Sequence, residues 1–260
     1  MNLKFGSRFM LAILISISFV ACKDKGKGEE KVTTTDSTKN TTPTTDNANN
    51  TAGMDAATVA PGFYKVVADT LGIRILEVNY KPGDSSAMHW HPDYAIYAID
   101  GGMATFYGKD GSKMDNEMKT GMTMIRPGEW HSVKNSGKTN IHVLLVEVNR
   151  NGAVGTNDPA TDATKVSPEL YSLKNDTMGI RVIQVNYKPG ETSKTHWHPD
   201  AALYVIDPGT GEFTGKDGSK RVLDLKKGMA LITPGDTHTV KNIGKTTMRA
   251  ILVEVNRGMK

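Results

Sequence analysis

Two groups of three histidines are the residues of this chain best suited to chemistry. In the first group His89 and His91 stand two apart, and His131 follows 40 residues later. The second group has the same spacing: His196, His198 and His238. Alternate residues of a strand face the same side, so each close pair would present two imidazoles together. Three neutral nitrogens suit Fe, Mn, Zn, Ni or Cu, and the sequence therefore predicts up to two divalent transition-metal ions per chain.

The two groups lie in two copies of one unit. Residues 64–150 align with residues 171–257 at a constant offset of 107, and 49 of the 87 positions are identical. A repeat of this length indicates a tandem domain duplication, because solenoid units are only about 20–50 residues long. All six histidines are retained although 38 positions differ. We therefore expect a metal site in each copy.

Each copy is predicted to be all-β. Short runs rich in β-branched residues, such as 73–80 and 180–187, alternate with glycine-containing turn sequences. This spacing of short strands favours a sandwich or a small barrel. We place the first domain at 62–153, a linker at 154–167 and the second domain at 168–260.

The segment before the repeat is predicted to be an export signal and a tether. Residues 1–21 have a basic head and an apolar run of 12 residues, shorter than the ~20 that a membrane-spanning helix needs. Ala21-Cys22 follows and resembles the processing box of bacterial lipoproteins, which implies lipidation of Cys22 and attachment to the cell envelope as an exported protein. An ordinary secretion signal with an incidental cysteine is the alternative. Residues 22–61 are polar enough to be disordered.

Composition excludes several other classes of function. The net charge of +4, without a basic stripe, argues against a nucleic-acid partner. The single cysteine excludes an intrachain disulfide, a four-cysteine metal site and a CxxC redox pair. The sequence is compatible with two kinds of partner: a small-molecule ligand, and a membrane that the predicted lipid on Cys22 would enter. The sequence does not indicate an oligomeric state.

The histidine patterns closely resemble the two motifs of the cupin superfamily. Gly83, His89, His91 and Gly102 match the first motif, and Gly190, His196, His198 and Gly209 match it in the second copy. The second motif is matched by a Pro-Gly turn, the third histidine and an asparagine: Gly128, His131 and Asn135, then Gly235, His238 and Asn242. The resemblance covers about 62–260. It implies a bicupin: two tandem double-stranded β-helix (jelly-roll) barrels, with the six histidines as metal ligands.

The sequence departs from the cupin pattern at three positions. In the second motif Arg126 and Thr233 stand at the proline position, and Gly121 and Gly228 lie one residue closer than the motif asks. The departure at the glutamate of the first motif matters most. The metal-binding glutamate of the first motif is replaced by Ala95 and Ala202. A site of three histidines adds no negative charge, so the metal would favour an anionic or chelating ligand. Some cupin dioxygenases, including those that oxidise cysteine and gentisate, use such three-histidine sites.

Other residues are weaker candidates for the site. Asp93 and Asp200 follow the paired histidines and are candidate catalytic residues. Each would be a distant fourth ligand or an acceptor for a metal-bound water, or alternatively a cap of the turn. Tyr97 and Tyr204 are candidate catalytic residues if their hydroxyls face the cavity; core packing is equally compatible. Arg74 and Arg181 would clamp an anion or lie on a solvated face.

The mouths of the two barrels are expected to differ. Tyr94 and Trp130 in the first copy correspond to Ala201 and Thr237 in the second. The first barrel should therefore have the narrower, more aromatic mouth.

Three functions are compatible with the sequence. The first is a metal-dependent oxidoreductase of the dioxygenase type that acts on a small organic molecule, which the charge argument predicts to be anionic. The second is a non-catalytic envelope lipoprotein that captures a metal or a ligand. The third is a structural protein in which metals only stabilise the barrels. The fold hosts many activities and does not decide among them.

Overall fold

The structure, a computed structural model, describes residues 54–259 as two β-barrels with two single-turn helices. Apolar alternation and glycine turns dictate short strands throughout. The first half contains α1 Ala56–Val59, β1 Tyr64–Thr70, β2 Ile73–Tyr80, β3 His89–His91, β4 Asp93–Asp100, β5 Gly102–Gly108, β6 Lys113–Met118, β7 Thr123–Arg126, β8 Glu129–Asn135 and β9 Ile141–Val148.

The second half repeats these elements in the same order. It contains α2 Ala163–Val166, β10 Tyr171–Thr177, β11 Ile180–Tyr187, β12 His196–His198, β13 Ala201–Asp207, β14 Gly209–Gly215, β15 Lys220–Leu225, β16 Ala230–Thr233, β17 Asp236–Asn242 and β18 Met248–Val255. The all-β prediction is confirmed.

Each barrel is made of two antiparallel sheets. A five-stranded sheet has the order β1-β2-β9-β4-β7, and a four-stranded sheet has the order β3-β8-β5-β6. The second barrel has the equivalent sheets, β10-β11-β18-β13-β16 and β12-β17-β14-β15. The first two histidines of each group lie on the short β3 or β12, at the edge of the smaller sheet.

The central strands of the five-stranded sheets are buried on both faces. One face of β2 points into its own barrel through Leu76 and Val78, which belong to the first core cluster. The other face carries Ile73 and Ile75, which pack with Ile180 of the second barrel in a cluster shared by the two barrels. This two-sided burial explains why these strands read as nearly continuous apolar runs instead of a strict alternation.

The asparagine of the second motif ties the barrel wall together. The Asn135 side-chain amide donates to the carbonyl oxygens of Tyr80 and Thr139 at 2.9 and 2.8 Å, and its own oxygen accepts from the Gly137 N–H at 3.0 Å. Asn242 makes the equivalent bonds in the second barrel. Each asparagine is fully buried and satisfies three backbone groups that water cannot reach.

The folded unit begins earlier than the sequence predicted. Asp55 caps α1, and Asp162 caps α2 at the same offset of 107, so the repeat includes these turns. The end of the predicted tether, from Met54 to Pro61, and part of the predicted linker therefore belong to the barrels. Each of these helices has only four residues, too few to show a helical periodicity in the sequence. The export signal, Cys22 and the rest of the tether lie outside the described residues.

Within residues 54–259, none of the helices has the length and apolar character needed to cross a membrane.

Candidate metal centres

Strand pairing brings each group of histidines together. In the first barrel β3 pairs with β8 so that His89 lies directly opposite His131. In the second barrel β12 pairs with β17, and His196 lies opposite His238. Because alternate residues share a face, the second histidine of each close pair joins the same cluster.

The nitrogens of each group converge on one point. One ring nitrogen from each of the three histidines lies within 4.8 Å of the other two, in both barrels. The histidines of the first group are buried, whereas His238 in the second is partly buried. All six predicted ligands are therefore brought together as two groups of three.

In the first barrel the hydrogen bonds of the paired histidines leave their Nε2 atoms available. His89 donates through Nδ1 to the Ala87 carbonyl at 2.8 Å, and His91 through Nδ1 to Glu147 Oε1 at 2.6 Å. The Nε2 atoms of both histidines are buried and have no hydrogen-bond partner. Such unpaired buried nitrogens are costly in a metal-free protein, and a metal ion would satisfy them. The residues therefore fit a divalent transition metal.

Burial keeps the rings in the neutral form that a metal needs. It lowers the pKa of His89 to about 3, and that of His196 likewise to about 3. Burial also lowers the pKa of His131 and of His238. At neutral pH these imidazoles therefore carry free lone pairs rather than protons.

A buried carboxylate orients the second histidine of each pair. Glu147 and Glu254, on β9 and β18, accept the Nδ1–H of His91 and His198 at 2.6 and 2.5 Å. Both glutamates are inaccessible to solvent. A carboxylate on the far side of a ligating imidazole fixes its tautomer and raises its basicity. Sequence reasoning missed these residues, although both lie in the repeated LVEVNR sequence.

An arginine and an aspartate complete a chain of charges behind each site. Arg181 donates to Glu254 Oε2 at 2.7 Å and to Asp162 at 2.9 Å. In the first barrel Arg74 binds Glu147 and Asp55 in the same way. Neither sequence interpretation of these arginines is correct, because they are buried or half-buried in ion pairs rather than solvated or free to clamp an anion.

A tyrosine that the sequence analysis did not single out lies against the histidines. The Tyr171 hydroxyl donates to His196 Nε2 at 3.0 Å, and the Tyr187 hydroxyl donates to Tyr171 at 2.7 Å. In the first barrel the ring centroids of Tyr64 and His89 are 4.8 Å apart. Burial raises the pKa of Tyr171 and Tyr64 well above 10, so both remain protonated donors. Tyr64 and Tyr171 are equivalent positions of the repeat and are identical, which was the only sequence signal that could have pointed to them.

The prediction that Tyr97 and Tyr204 face a cavity is wrong. Both pack in the cluster shared by the two barrels, on the outer face of β4 and β13. The sequence analysis assumed that every second residue after His91 faces the same side as the histidines. This assumption fails because β3 ends at His91, and β4 belongs to the other sheet. The residues of β4 that face inward are Tyr94 and Ile96.

Asp93 and Asp200 are structural residues rather than metal ligands. Asp93 accepts a hydrogen bond from the Gly128 N–H at 2.8 Å. It also forms an ion pair with Arg257 of the other barrel at 2.7 Å. Asp200 accepts the Gly235 N–H at 2.7 Å and pairs with Arg150 at 2.5 Å. Both oxygens of each carboxylate are thus engaged. The turn-cap interpretation was closer, but the turn is the distant Pro-Gly turn of the second motif.

The alanines at the motif's glutamate position do not face the metal centres. Ala95 and Ala202 belong to the cluster between the barrels. The carboxylate nearest to each group comes from β9 or β18 instead, and it contacts the Nδ1 side of the ring. The predicted set of three histidine ligands therefore stands. The negative charge comes from Glu147 or Glu254, which contacts the Nδ1 side of a histidine ring and not the Nε2 side.

The two barrels differ greatly in internal space. The cavity of the first barrel has a volume of about 40 Å³, whereas that of the second has about 570 Å³. Tyr94 lines the small cavity, and Ala201 takes its place in the large one. The difference lies in the direction that the sequence predicted.

Three side chains of the first barrel form a hydrogen-bonded network, the Tyr94–Glu129–Arg126 latch, beside the small cavity that Tyr94 lines. The Tyr94 hydroxyl donates to Glu129, and Arg126 pairs with the same carboxylate at 2.8 Å. Burial alone would raise the pKa of Glu129, but the nearby His131 ring and the hydrogen bonds from Arg126 and Tyr94 outweigh it and hold the pKa well below its usual range. Ala201, Thr233 and Asp236 replace the latch in the second barrel and cannot form it.

Trp130 does not take part in narrowing the mouth, contrary to the sequence prediction. Its ring centroid lies 5.7 Å from that of Trp90, and the Lys109 ammonium lies 4.3 Å above it. The two tryptophans occupy the strand face opposite the histidines, because successive side chains of a strand alternate.

Comparisons with known proteins agree with this architecture. Residues 183–254 match the model of the cupin domain. The matched segment lies within the second barrel and covers most of its strands. The first barrel has the same strand order and the same histidine group, so the chain carries the cupin fold twice. No curated protein matches the sequence.

Solved structures share the fold at low sequence identity. Oxalate decarboxylase from Bacillus subtilis is 15% identical with a TM-score of 0.53, over 73% of this chain and 69% of that chain. AerE from Microcystis aeruginosa is 12% identical with a TM-score of 0.51, over 74% and 98%. Procruciferin, an 11S globulin of Brassica napus, is 11% identical with a TM-score of 0.52, over 71% and 76%. These similarities show the fold alone.

We predict that replacing the carboxylate behind the second site weakens metal binding. In Glu254→Gln the His198 ring loses its charged acceptor, so affinity for zinc should fall about 10- to 100-fold. Competition with a zinc indicator measures it. Glu77→Gln is the control, because Glu77 binds the non-ligating His142 at 2.9 Å. Equal losses in the two variants would contradict the orienting role.

We also predict that the two metals leave at different rates. With both sites loaded with zinc, an excess of a coloured chelator should remove the second barrel's ion quickly and the first barrel's slowly. Tyr94→Ala should accelerate the slow phase and lower the free energy of unfolding by about 3 kcal/mol, as for other large buried aromatic deletions. The reciprocal Ala201→Tyr should retard the fast phase. A single release rate in the unaltered protein would refute this difference between the barrels.

Proposed function

We propose that this protein is a metal-dependent bicupin whose second barrel binds and transforms a small organic anion. The observation that carries the proposal is the large cavity of about 570 Å³ whose wall includes His198 and His238. Ligand sites are usually concave, largely apolar and of this size. The first barrel has the ligands but not the space, and it would hold a structural metal.

The chemistry of the ligands supports a reactive rather than a saturated site. Three neutral histidines leave coordination positions open, as catalytic sites require. A bound metal would act as a Lewis acid or, if redox-active, as an electron carrier. Manganese and iron are the ions to test first. The structurally similar oxalate decarboxylase of Bacillus subtilis has Mn(II) centres.

The residues of this chain have separate parts in such a site. Glu254 holds His198 in the tautomer that directs Nε2 inward. Tyr171 places a protonated hydroxyl 3.0 Å from His196 Nε2, where it can donate a hydrogen bond to a ligand bound at the centre. Apolar side chains, which include Leu203 and Leu252, line the same cavity as His198 and His238. These groups would orient a ligand at a metal centre, which supports a catalytic role.

We predict two metals per chain, of which only one is open to small anions. Metal content by mass spectrometry, after anaerobic purification without a histidine tag, should approach two and fall to one in His91→Ala or in His198→Ala. In the cobalt-loaded protein, azide should change the visible spectrum. His198→Ala should abolish that change, whereas His91→Ala should preserve it.

Two results would overturn the proposal. Failure to take up metal on titration would remove the metal-dependent function. An azide response that depends on His91 and not on His198 would place the open site in the first barrel.

We also propose that the protein is exported and anchored to the cell envelope through lipidated Cys22. The supporting observations are the basic head, the short apolar run and the position of the only cysteine. We predict that cells fed labelled palmitate label the unaltered protein, and that Cys22→Ser abolishes the label and releases the protein from membranes. An exported but unlabelled protein would favour the ordinary secretion signal.

A further inference from the structure

We infer that Arg221 selects the ligand of the second barrel, and that this ligand is an amphipathic organic acid whose carboxylate pairs with the guanidinium while its apolar body fills the cavity. This inference rests on the proposed function, because it assumes that the second barrel is the ligand site. It adds the class of ligand and the residue that discriminates it.

Arg221 is set apart from every other arginine of the described chain. Residues 54–259 contain seven arginines, and Arg221 is the one without a carboxylate within 4.0 Å. The other six all form ion pairs: Arg74, Arg126, Arg150, Arg181, Arg249 and Arg257. A guanidinium on a cavity wall with no acidic partner is a ready site for a carboxylate, which it can bind through two parallel hydrogen bonds.

The position of Arg221 connects it to the metal centre. It lines the same cavity as His198 and His238. Its guanidinium carbon lies 5.9 Å from the centroid of the Phe213 ring, and that ring lies 5.8 Å from the ring of His238. Phe213 thus contacts both groups and forms a short apolar stretch of wall between them. A ligand that touches Arg221 can extend along this ring to the histidines.

The strand that carries Arg221 also makes the cavity more apolar. Arg221, Leu223 and Leu225 alternate along β15 and all line the cavity. The equivalent residues of the first barrel are Met114, Asn116 and Met118. The second copy has therefore gained one cation at the rim and a more apolar wall below it. This combination fits an acid with a hydrocarbon or aromatic body.

Volume argues against the smallest acids as the ligand. A cavity of about 570 Å³ is within the range that accommodates drug-sized molecules. An acid of two carbons would leave most of this apolar wall in contact with water, and it would forgo the burial that stabilises a longer ligand.

A homologous series of probes tests the inference. Straight-chain monocarboxylates from acetate to decanoate, and the primary alcohols of the same lengths, would be titrated calorimetrically into the zinc-loaded protein. We expect affinity for the acids to rise about threefold to fourfold per methylene until the cavity is filled. Each acid should bind about tenfold more tightly than its alcohol.

Two variants assign that preference to Arg221. Arg221→Met installs the residue of the first barrel and should remove the tenfold preference for acids while retaining the dependence on chain length and the metal content. Arg221→Lys should restore part of the preference. Met114→Arg is the matched control and should change nothing, because the cavity of that barrel has a volume of only about 40 Å³.

The outcomes separate this inference from the proposed function. Equal binding of acids and alcohols, or an acid preference that survives in Arg221→Met, would overturn the role of Arg221 while the metal content and the azide response stand. Loss of metal uptake in the unaltered protein would instead overturn the proposed function itself.

Discussion

The structure depends on a buried carboxylate that joins three parts of each barrel. In the second barrel Glu254, on β18, accepts from Arg181 of β11 on one side and from His198 of β12 on the other. Arg181 in turn binds Asp162, which caps α2 before the barrel begins. A buried charge is costly unless it is paired and hydrogen-bonded, so each member of this chain fixes the position of the next. The candidate metal ligand, His198, is the last member.

This arrangement explains how an edge strand of three residues can hold two metal ligands. On its own β12 has one paired neighbour, β17, and short edge strands fray easily. The ion-paired chain links His198 to the central strands of the five-stranded sheet, which are buried on both faces. The rigidity of that sheet is thereby transmitted to the histidines, as a preorganised site requires. The same residues recur in the first barrel, where Asp55, Arg74 and Glu147 hold His91.

Duplication preserved the centres and altered the mouths. The histidines, the orienting glutamates and the tyrosines beside them are identical in the two copies. The residues near the mouths differ, with Tyr94, Arg126 and Glu129 in the first copy and Ala201, Thr233 and Asp236 in the second, and the cavities have volumes of about 40 and about 570 Å³. The two copies therefore share the same histidine groups but differ in the space beside them.

The sequence by itself determined the duplication, the all-β class, the six histidines and the relative width of the mouths, because these follow from identity, period and side-chain size. Only the tertiary structure decided which strand faces point inward. Tyr97 and Tyr204 turned out to lie between the barrels, since the parity of one strand does not carry over to a strand in another sheet. The partners of Asp93, Asp200 and Arg181, and the glutamates behind the histidines, were equally inaccessible to sequence reasoning. Each of these contacts joins residues 19 to 164 positions apart, and such distant pairings are set by how the sheets pack rather than by local pattern.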